Sequence, residues 1–215
     1  MLVFTKRGLL QYFVGFFLMS LGVVLTKRSD LGLSPFSTAP AAMNTIFPSL
    51  SLGTTTIIIH LVCIAVMICC QRKATLKTAL TFIMAFPFGW LVDALMMVIG
   101  PMDGVNFWLR LLVNCVGIVI NAFGVTCIVG AELMLPAPDA MLRVISVVFH
   151  KKYSTVKNCG DIFWVCLSAI TELIVLHKLV SVGIGTVLAA IFVGRLIKLF
   201  NKKFPQLPLT SRPIE

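Results

Sequence analysis

The sequence has few charged residues for its length. Of its 215 residues, 12% are charged and 59% are apolar, whereas soluble domains average about 25% and roughly 45 to 50%. So few polar side chains cannot cover a water-facing surface, which excludes an ordinary soluble domain. With a mean hydropathy of +1.02, the chain is predicted to lie in a lipid bilayer.

Motifs typical of enzymes and metal sites are also missing. The three histidines form no H-E-x-x-H pattern, and the chain has no G-x-S-x-G, P-loop or dinucleotide fingerprint. None of the seven cysteines belongs to a C-x-x-C pair or a Cys/His cluster with metal spacing. We therefore expect no enzymatic activity, no cofactor and no metal. An intramembrane enzyme acting through Asp93 or Asp139 is the alternative.

Long apolar segments predict an all-α fold, a polytopic transmembrane helical bundle of about six spans. A helix of about 20 residues crosses hydrocarbon of about 30 Å at 1.5 Å per residue. Six segments meet this requirement: residues 8–26, 53–70, 77–99, 106–129, 158–177 and 180–200.

Two connections are long and only mildly polar, at residues 27–52 and 130–156. Each contains proline followed by a short helix-like stretch, which predicts a re-entrant or buried short helix. Ser34 before Pro35, and Pro136 to Asp139, have the form of a helix start. Such a start offers unpaired N–H groups and a partial positive charge, which can hold a solute at membrane depth. Interfacial turns without a ligand are the alternative.

The two halves of the chain match each other, which predicts a 3+3 inverted internal repeat. We divide the chain into a first three-span unit at 1–100, a second at 101–203 and a cytoplasmic tail at 204–215. Three spans are an odd number, so the second unit must enter the membrane from the opposite side. The motifs Ala85-x-x-x-Gly89 and Ala190-x-x-x-Gly194 occupy equivalent positions. They predict that the third and sixth spans cross at the centre.

Basic residues predict the orientation of the chain. With both termini in the cytoplasm, 14 of the 18 Lys and Arg residues fall on the inner side, as the positive-inside rule requires. Eight crossings, with both short segments spanning, are the alternative. They would place Arg72, Lys73 and Lys77 outside and weaken this bias.

Ionisable and polar residues within the spans are the candidates for function. His60 and Asp93 are predicted to lie deepest, and Asn114 and Asn121 share one helix face. Hydrogen bonds inside the bundle are the alternative role for each. Asp161 follows Lys157 by four residues, which permits an ion pair. We predict the following solute-binding residues: Ser34, Pro35, Ser37, Pro138, Asp139, His60, Asp93 and Asn121.

Three short motifs carry a resemblance to a known family: LGLSPFS, the Gly53-Thr54 pair and VGIGTVLAAIFVG. From about Gly8 to Phe200, the chain resembles the YczE-like, YitT-related bacterial integral membrane proteins. Ser37 stands where the family's first loop usually has an acidic residue, and Asp139 fits the acidic residue of its second loop. The resemblance implies an all-helical protein of the bacterial cytoplasmic membrane and offers no well-established substrate.

These patterns favour a membrane transporter, or the substrate-binding unit of one, for a small polar solute. The halves would rock about a mid-membrane site, and positive helix ends favour an anionic solute. The expected partners are the lipid bilayer and the solute, with no nucleic acid. A homodimer or a cytoplasmic partner protein is left open. The alternative is a docking subunit with a basic inner face: Lys151, Lys152, Lys198, Lys202 and Lys203. A channel is a third candidate.

Overall fold

The computed structural model describes residues 6–102, 104–131 and 133–204. These residues form eight α-helices and no strand. The helices are α1 (Lys6–Ser29), α2 (Thr38–Ile46), α3 (Leu52–Gln71), α4 (Leu76–Val98), α5 (Phe107–Gly130), α6 (Ala137–Val148), α7 (Tyr153–Leu176) and α8 (Ile184–Lys203). The predicted tail lies outside the described residues from position 205 onward.

Six of the helices in this part of the chain are long and apolar enough to cross a membrane. They are α1, α3, α4, α5, α7 and α8, and their bounds agree with the predicted spans to within about five residues. Helices α2 and α6 have 9 and 12 residues, too few to cross about 30 Å of hydrocarbon. The prediction of a polytopic helical bundle with two short helices is therefore confirmed.

Local sequence explains where several spans begin and end. The side chains of Ser51 and Thr75 accept hydrogen bonds from the N–H groups of Thr54 and Thr78, which start α3 and α4. Helix α3 is followed by Arg72 in the left-handed region, at a φ of 51°. Helix α4 runs through Pro87 without interruption. The helix therefore does not break at Pro87.

Helices α1 and α5 form the most extensive contact of the bundle. Glycines allow their backbones to approach closely. A Cβ atom on Gly22 would lie 2.6 Å from the Cβ of Asn121, and one on Gly124 would lie 2.5 Å from the backbone nitrogen of Met19. Small residues at such contacts increase the van der Waals packing that holds helices together in lipid.

The prediction that the third and sixth spans cross at the centre is wrong. Helix α4 packs mainly on α3 and α1, and α8 packs mainly on α5. A Cβ atom on Gly89 would lie 2.6 Å from the carbonyl oxygen of Gly53 in α3, whereas Gly194 is exposed with no atom within 4 Å. A small-residue motif permits close approach but does not specify the partner, and here α1 and α5 occupy the centre.

The two short helices pack in a reciprocal way. Helix α2 contacts α7 as well as α3, and α6 contacts α3 as well as α7. Each short helix therefore packs on a span of the other predicted unit. Thr38 and Ala137 are buried at the starts of α2 and α6, whereas Phe47 and Val147 are exposed near their ends. Both short helices therefore begin inside the bundle and end near its surface.

Candidate functional site

The start of α2 differs from the prediction. The helix begins at Thr38 with Ser37 as its N-cap residue. Ser34 and Pro35 lie in a preceding turn, because the Thr38 N–H donates to the carbonyl oxygen of Ser34 at 3.2 Å. The Ser34 hydroxyl donates to the Ser37 hydroxyl at 2.9 Å, so it stabilises the turn and does not cap the helix. Sequence alone placed this start too early because a turn and a first helical turn share the same residue types.

The start of α2 lies about half-way along α7. The Ser168 hydroxyl donates to the Thr38 hydroxyl at 2.9 Å, and the Thr38 hydroxyl donates to the carbonyl oxygen of Pro35 at 2.7 Å. The rings of Phe36 and Trp164 pack edge to face at 5.4 Å between centroids. The buried indole N–H of Trp164 has no acceptor among the described residues. Thr38, Trp164 and Ser168 were not predicted as site residues, and no local motif marks them.

The start of α6 agrees with the prediction. Pro136 is the N-cap residue, Pro138 lies in the first turn and Asp139 is the acidic residue of that turn. Asp139 Oδ1 lies 3.1 Å from the Lys157 Nζ and accepts a hydrogen bond from the Tyr153 hydroxyl at 3.4 Å. An acidic residue in the first turn stabilises a helix through its dipole. The contact with Lys157 also fixes this turn to α7.

Lys157 contacts a second carboxylate. Its Nζ lies 3.0 Å from Asp161 Oδ1, which confirms the ion pair predicted from their spacing of four residues. One ammonium group is therefore shared by two carboxylates from α6 and α7. The sequence showed only the local pair, because Asp139 reaches Lys157 through tertiary packing.

A small cavity lies between the start of α6 and helices α1, α3 and α4. Its volume is about 20 Å³, room for a single water molecule. Its polar lining comes from Tyr12, His60 and Thr81, beside Pro136 and Ala137. The Nδ1 atom of His60 lies 2.7 Å from the carbonyl oxygen of Thr56. A carbonyl only accepts, so Nδ1 carries the hydrogen and Nε2 of the neutral ring is an acceptor.

Two of the predicted site residues lie at other places in the bundle. Asp93 accepts hydrogen bonds at 2.6 Å from the Ser51 hydroxyl and at 2.6 Å from the Gly53 N–H. It therefore caps α3 from α4. The side-chain amide of Asn121 donates to the carbonyl oxygen of Met19 at 3.4 Å, within the contact of α1 and α5. The cavity lining includes neither residue. Both contacts are of the bundle-internal kind named as the alternative.

The two short helices approach each other across packed apolar side chains. Ala39 and Ala137, near their starts, belong to one buried cluster that also contains Cys63 and Trp164. Phe36 packs on His60 at 5.6 Å and on Trp164 at 5.4 Å between ring centroids. Phe36 therefore packs between His60 of α3 and Trp164 of α7. The cavity lies beside the start of α6, and its lining includes no residue of α2.

The remaining motif residues meet at the end of the bundle where α8 begins. The Gly185 N–H donates to the carbonyl oxygen of Leu31 at 2.7 Å, and the Leu33 N–H donates to that of Ser181 at 3.2 Å. Gly32 has a φ of +107° and lies so close that a Cβ atom would be 2.6 Å from the Thr186 hydroxyl. The L-G and G-x-G-T motifs therefore join the first loop to the start of the last span.

The fold and the helix starts define a class: a multi-pass α-helical membrane protein with two short helices that begin inside the bundle. Residues 6–202 match a protein family of unknown function, DUF6198. The match covers most of the chain, which therefore belongs to this family. No curated protein and no solved structure matches the sequence. Within the described residues, no group of three or more His, Cys, Asp or Glu side chains is placed to hold a metal ion.

Proposed function

We propose that the protein carries a small polar solute across the membrane by alternating access. One observation supports this proposal most directly: the starts of both short helices are buried in the bundle, and each packs on a span of the other unit. Helices that begin at mid-membrane in transporters present their unpaired N–H groups to the solute.

The depth of the two starts supports the same mechanism. Thr38 bonds to Ser168 and Phe36 packs on Trp164, close to the middle of α7. On the other side, Pro136 and Ala137 share a cavity with His60, close to the middle of α3. With α3 and α7 as membrane spans, this position near their middles supports a site far from either membrane surface.

The packing of Phe36 suggests which parts would move. Its ring contacts His60 and Trp164, so access from the start of α2 to the cavity requires that the ring leave these contacts. The ion pair of Asp139 and Lys157 joins α6 to α7, and a motion of α6 relative to α7 would change it. Rocking of one unit against the other would open the site to one side at a time.

We further propose that the protein lies in the bacterial cytoplasmic membrane with both termini inside. The excess of basic residues on the inner side, 14 of 18, supports this orientation. The resemblance to the YczE-like proteins supports the compartment.

The proposal can be tested with the purified chain. A thermal-shift screen against metabolite fractions would find solutes that stabilise the folded protein, and flux of each such solute would then be measured in liposomes. Ser34→Ala combined with Asp139→Ala should abolish flux and leave a folded protein. The matched control is Asp30→Ala with Ser154→Ala, because both side chains are exposed. Full flux in the Ser34/Asp139 double variant would contradict the assigned site.

A docking subunit is the second candidate. Its specific support is the exposure of five lysines at one end of the bundle: Lys151, Lys152, Lys198, Lys202 and Lys203. Purification in mild detergent distinguishes the two functions. A stable partner protein, together with no flux by the isolated chain, would favour docking over transport.

A further inference from the structure

We propose that the cavity beside the start of α6 binds a neutral hydroxyl group, so that the solute is a small polyol or a similar hydroxyl-bearing compound. This inference rests on the proposed transport function and names its substrate class. Four features of the cavity carry it: its size, its unpaired polar groups, its lack of charge and its aromatic walls.

The size of the cavity matches one hydroxyl group. A volume of about 20 Å³ holds a single water-sized group. A hydroxyl oxygen fits this space. The rest of a solute would extend toward Phe36 when the ring moves and the site opens.

Two buried polar side chains in the lining have no partner. Tyr12 is 3% exposed and His60 is 4% exposed. Within the described part of the chain, neither the Tyr12 hydroxyl nor the His60 Nε2 makes a hydrogen bond. Neither atom is among the fully buried polar atoms that lack a partner, so both reach the space of the cavity, where a water molecule or a ligand can bond to them. A ligand that fills this cavity can therefore form hydrogen bonds with both groups.

The hydrogen-bonding pattern selects a group that both donates and accepts. His60 Nε2 is an acceptor, because Nδ1 carries the hydrogen toward Thr56. The Tyr12 hydroxyl can donate. At the helix start, the N–H group of Ala137, which lines the cavity, has no acceptor among the described residues and adds a further donor. A hydroxyl group donates to His60 and accepts from Tyr12 or from the helix.

Charge and shape disfavour an anion in the cavity. Among the described residues that line it, none is Asp, Glu, Lys or Arg. An ion without a counter-charge is costly at this depth. Asp139, in the first turn of α6, is already paired with Lys157. Phe16 and Phe88 form an aromatic wall, with 5.2 Å between ring centroids, and can pack against the carbon chain of a polyol.

The test is a binding measurement on the full chain in phosphatidylcholine nanodiscs, which avoids sugar detergents and glycerol headgroups. The probes are glycerol and erythritol at low millimolar concentration, where they do not act as general osmolytes. Acetate and propionate are the matched carboxylates, because they carry the charge and have no hydroxyl group, and the readout is the thermal midpoint against ligand concentration. We expect the polyols to raise the midpoint and the carboxylates to leave it unchanged. Stabilisation by the carboxylates alone, or by no probe at all, would overturn the inference.

The two tyrosines of the chain provide a matched pair of variants. Tyr12→Phe removes the hydroxyl in the cavity and should weaken polyol binding about five- to tenfold, the loss expected for one hydrogen bond. Tyr153→Phe removes a hydroxyl that bonds to Asp139 and should leave polyol binding unchanged. Equal polyol binding by wild type and Tyr12→Phe would mean that the polyol binds elsewhere, and would overturn the inference. If Tyr12→Phe fails to fold, the comparison of polyols with carboxylates on the wild-type protein still tests the inference.

Failure of this inference can be distinguished from failure of the transport function. Polyol binding without flux in liposomes would support the site and reject transport. Flux of a solute without hydroxyl groups would support transport and reject the hydroxyl site.

Discussion

Lys157 Nζ lies 3.1 Å from Asp139 Oδ1 and so joins the first turn of α6 to α7. The Asp139 side chain is 18% exposed. Removing one partner of a partly buried ion pair leaves the other charge uncompensated, which destabilises the folded protein. We expect Asp139→Asn to lower the free energy of unfolding by about 1 to 2 kcal/mol. Thermal or denaturant unfolding in detergent measures this change.

An exposed ion pair provides the control. Arg110 lies 3.0 Å from Asp30, whose side chain is 64% exposed. Exposed pairs contribute roughly 0 to 1 kcal/mol, so Asp30→Asn should cost less than Asp139→Asn. Equal effects of the two substitutions would show that the Lys157 contact does not hold α6 in place.

At the central contact of α1 and α5, a single added methyl group should destabilise the protein strongly. A Cβ atom on Gly124 would lie 2.5 Å from the Met19 backbone nitrogen, so Gly124→Ala must push the two helices apart. We expect a loss of about 1 to 3 kcal/mol or more. Size-exclusion chromatography after heating reports this loss as a lower thermal midpoint.

Gly194 serves as the comparison in the same protein, because it has no atom within 4 Å of an added Cβ. Gly194→Ala should change stability by less than about 1 kcal/mol, and helix propensity favours a small gain. If Gly194→Ala were the more damaging variant, α8 would have a packing partner at this position.

The lengths of apolar runs were enough to predict the spans and the short helices, because the bilayer sets the length of a crossing helix. Spacing was enough to predict the pair of Lys157 and Asp161, because helix geometry fixes neighbours four residues apart. Asp93 was predicted to lie deep in the bundle because its neighbours in the sequence are apolar. The sequence did not show that the start of α3 would lie beside it. Contacts between distant segments follow from packing that no local pattern encodes.

One long-range contact did leave a signal in the sequence. Gly15 and Gly22 in α1, and Gly117 and Gly124 in α5, are each seven residues apart and occupy equivalent positions at an offset of 102. All four lie in the close contact of these helices. This regular glycine spacing was a better indicator of the central crossing than the motifs of the third and sixth spans.

The hydrogen bonds of Glu172 lead to a third prediction about stability. The fully buried carboxylate accepts hydrogen bonds from the N–H groups of Val180 and Ser181, at 2.9 to 3.0 Å. It thus holds the loop that leads into α8. We expect Glu172→Ala to cost about 1 to 3 kcal/mol, because both donors would be left unpaired. Glu172→Gln keeps one acceptor oxygen and should cost less. Unfolding of the two variants in the same detergent provides the comparison, and equal losses would mean that the hydrogen bonds are not what holds the loop.

Labelling of single cysteines tests the orientation and the number of crossings together. In a variant with the seven native cysteines replaced, Lys73→Cys lies in the connection between α3 and α4, and Met102→Cys lies between α4 and α5. With six spans and cytoplasmic termini, a membrane-impermeant maleimide added to whole cells should label Met102→Cys and not Lys73→Cys. In permeabilised cells, the maleimide should label both variants.

Labelling of Lys73→Cys in intact cells would favour either eight crossings or the reverse orientation. Lys6→Cys, at the start of α1, distinguishes these two: eight crossings keep it protected, whereas a reversed chain exposes it.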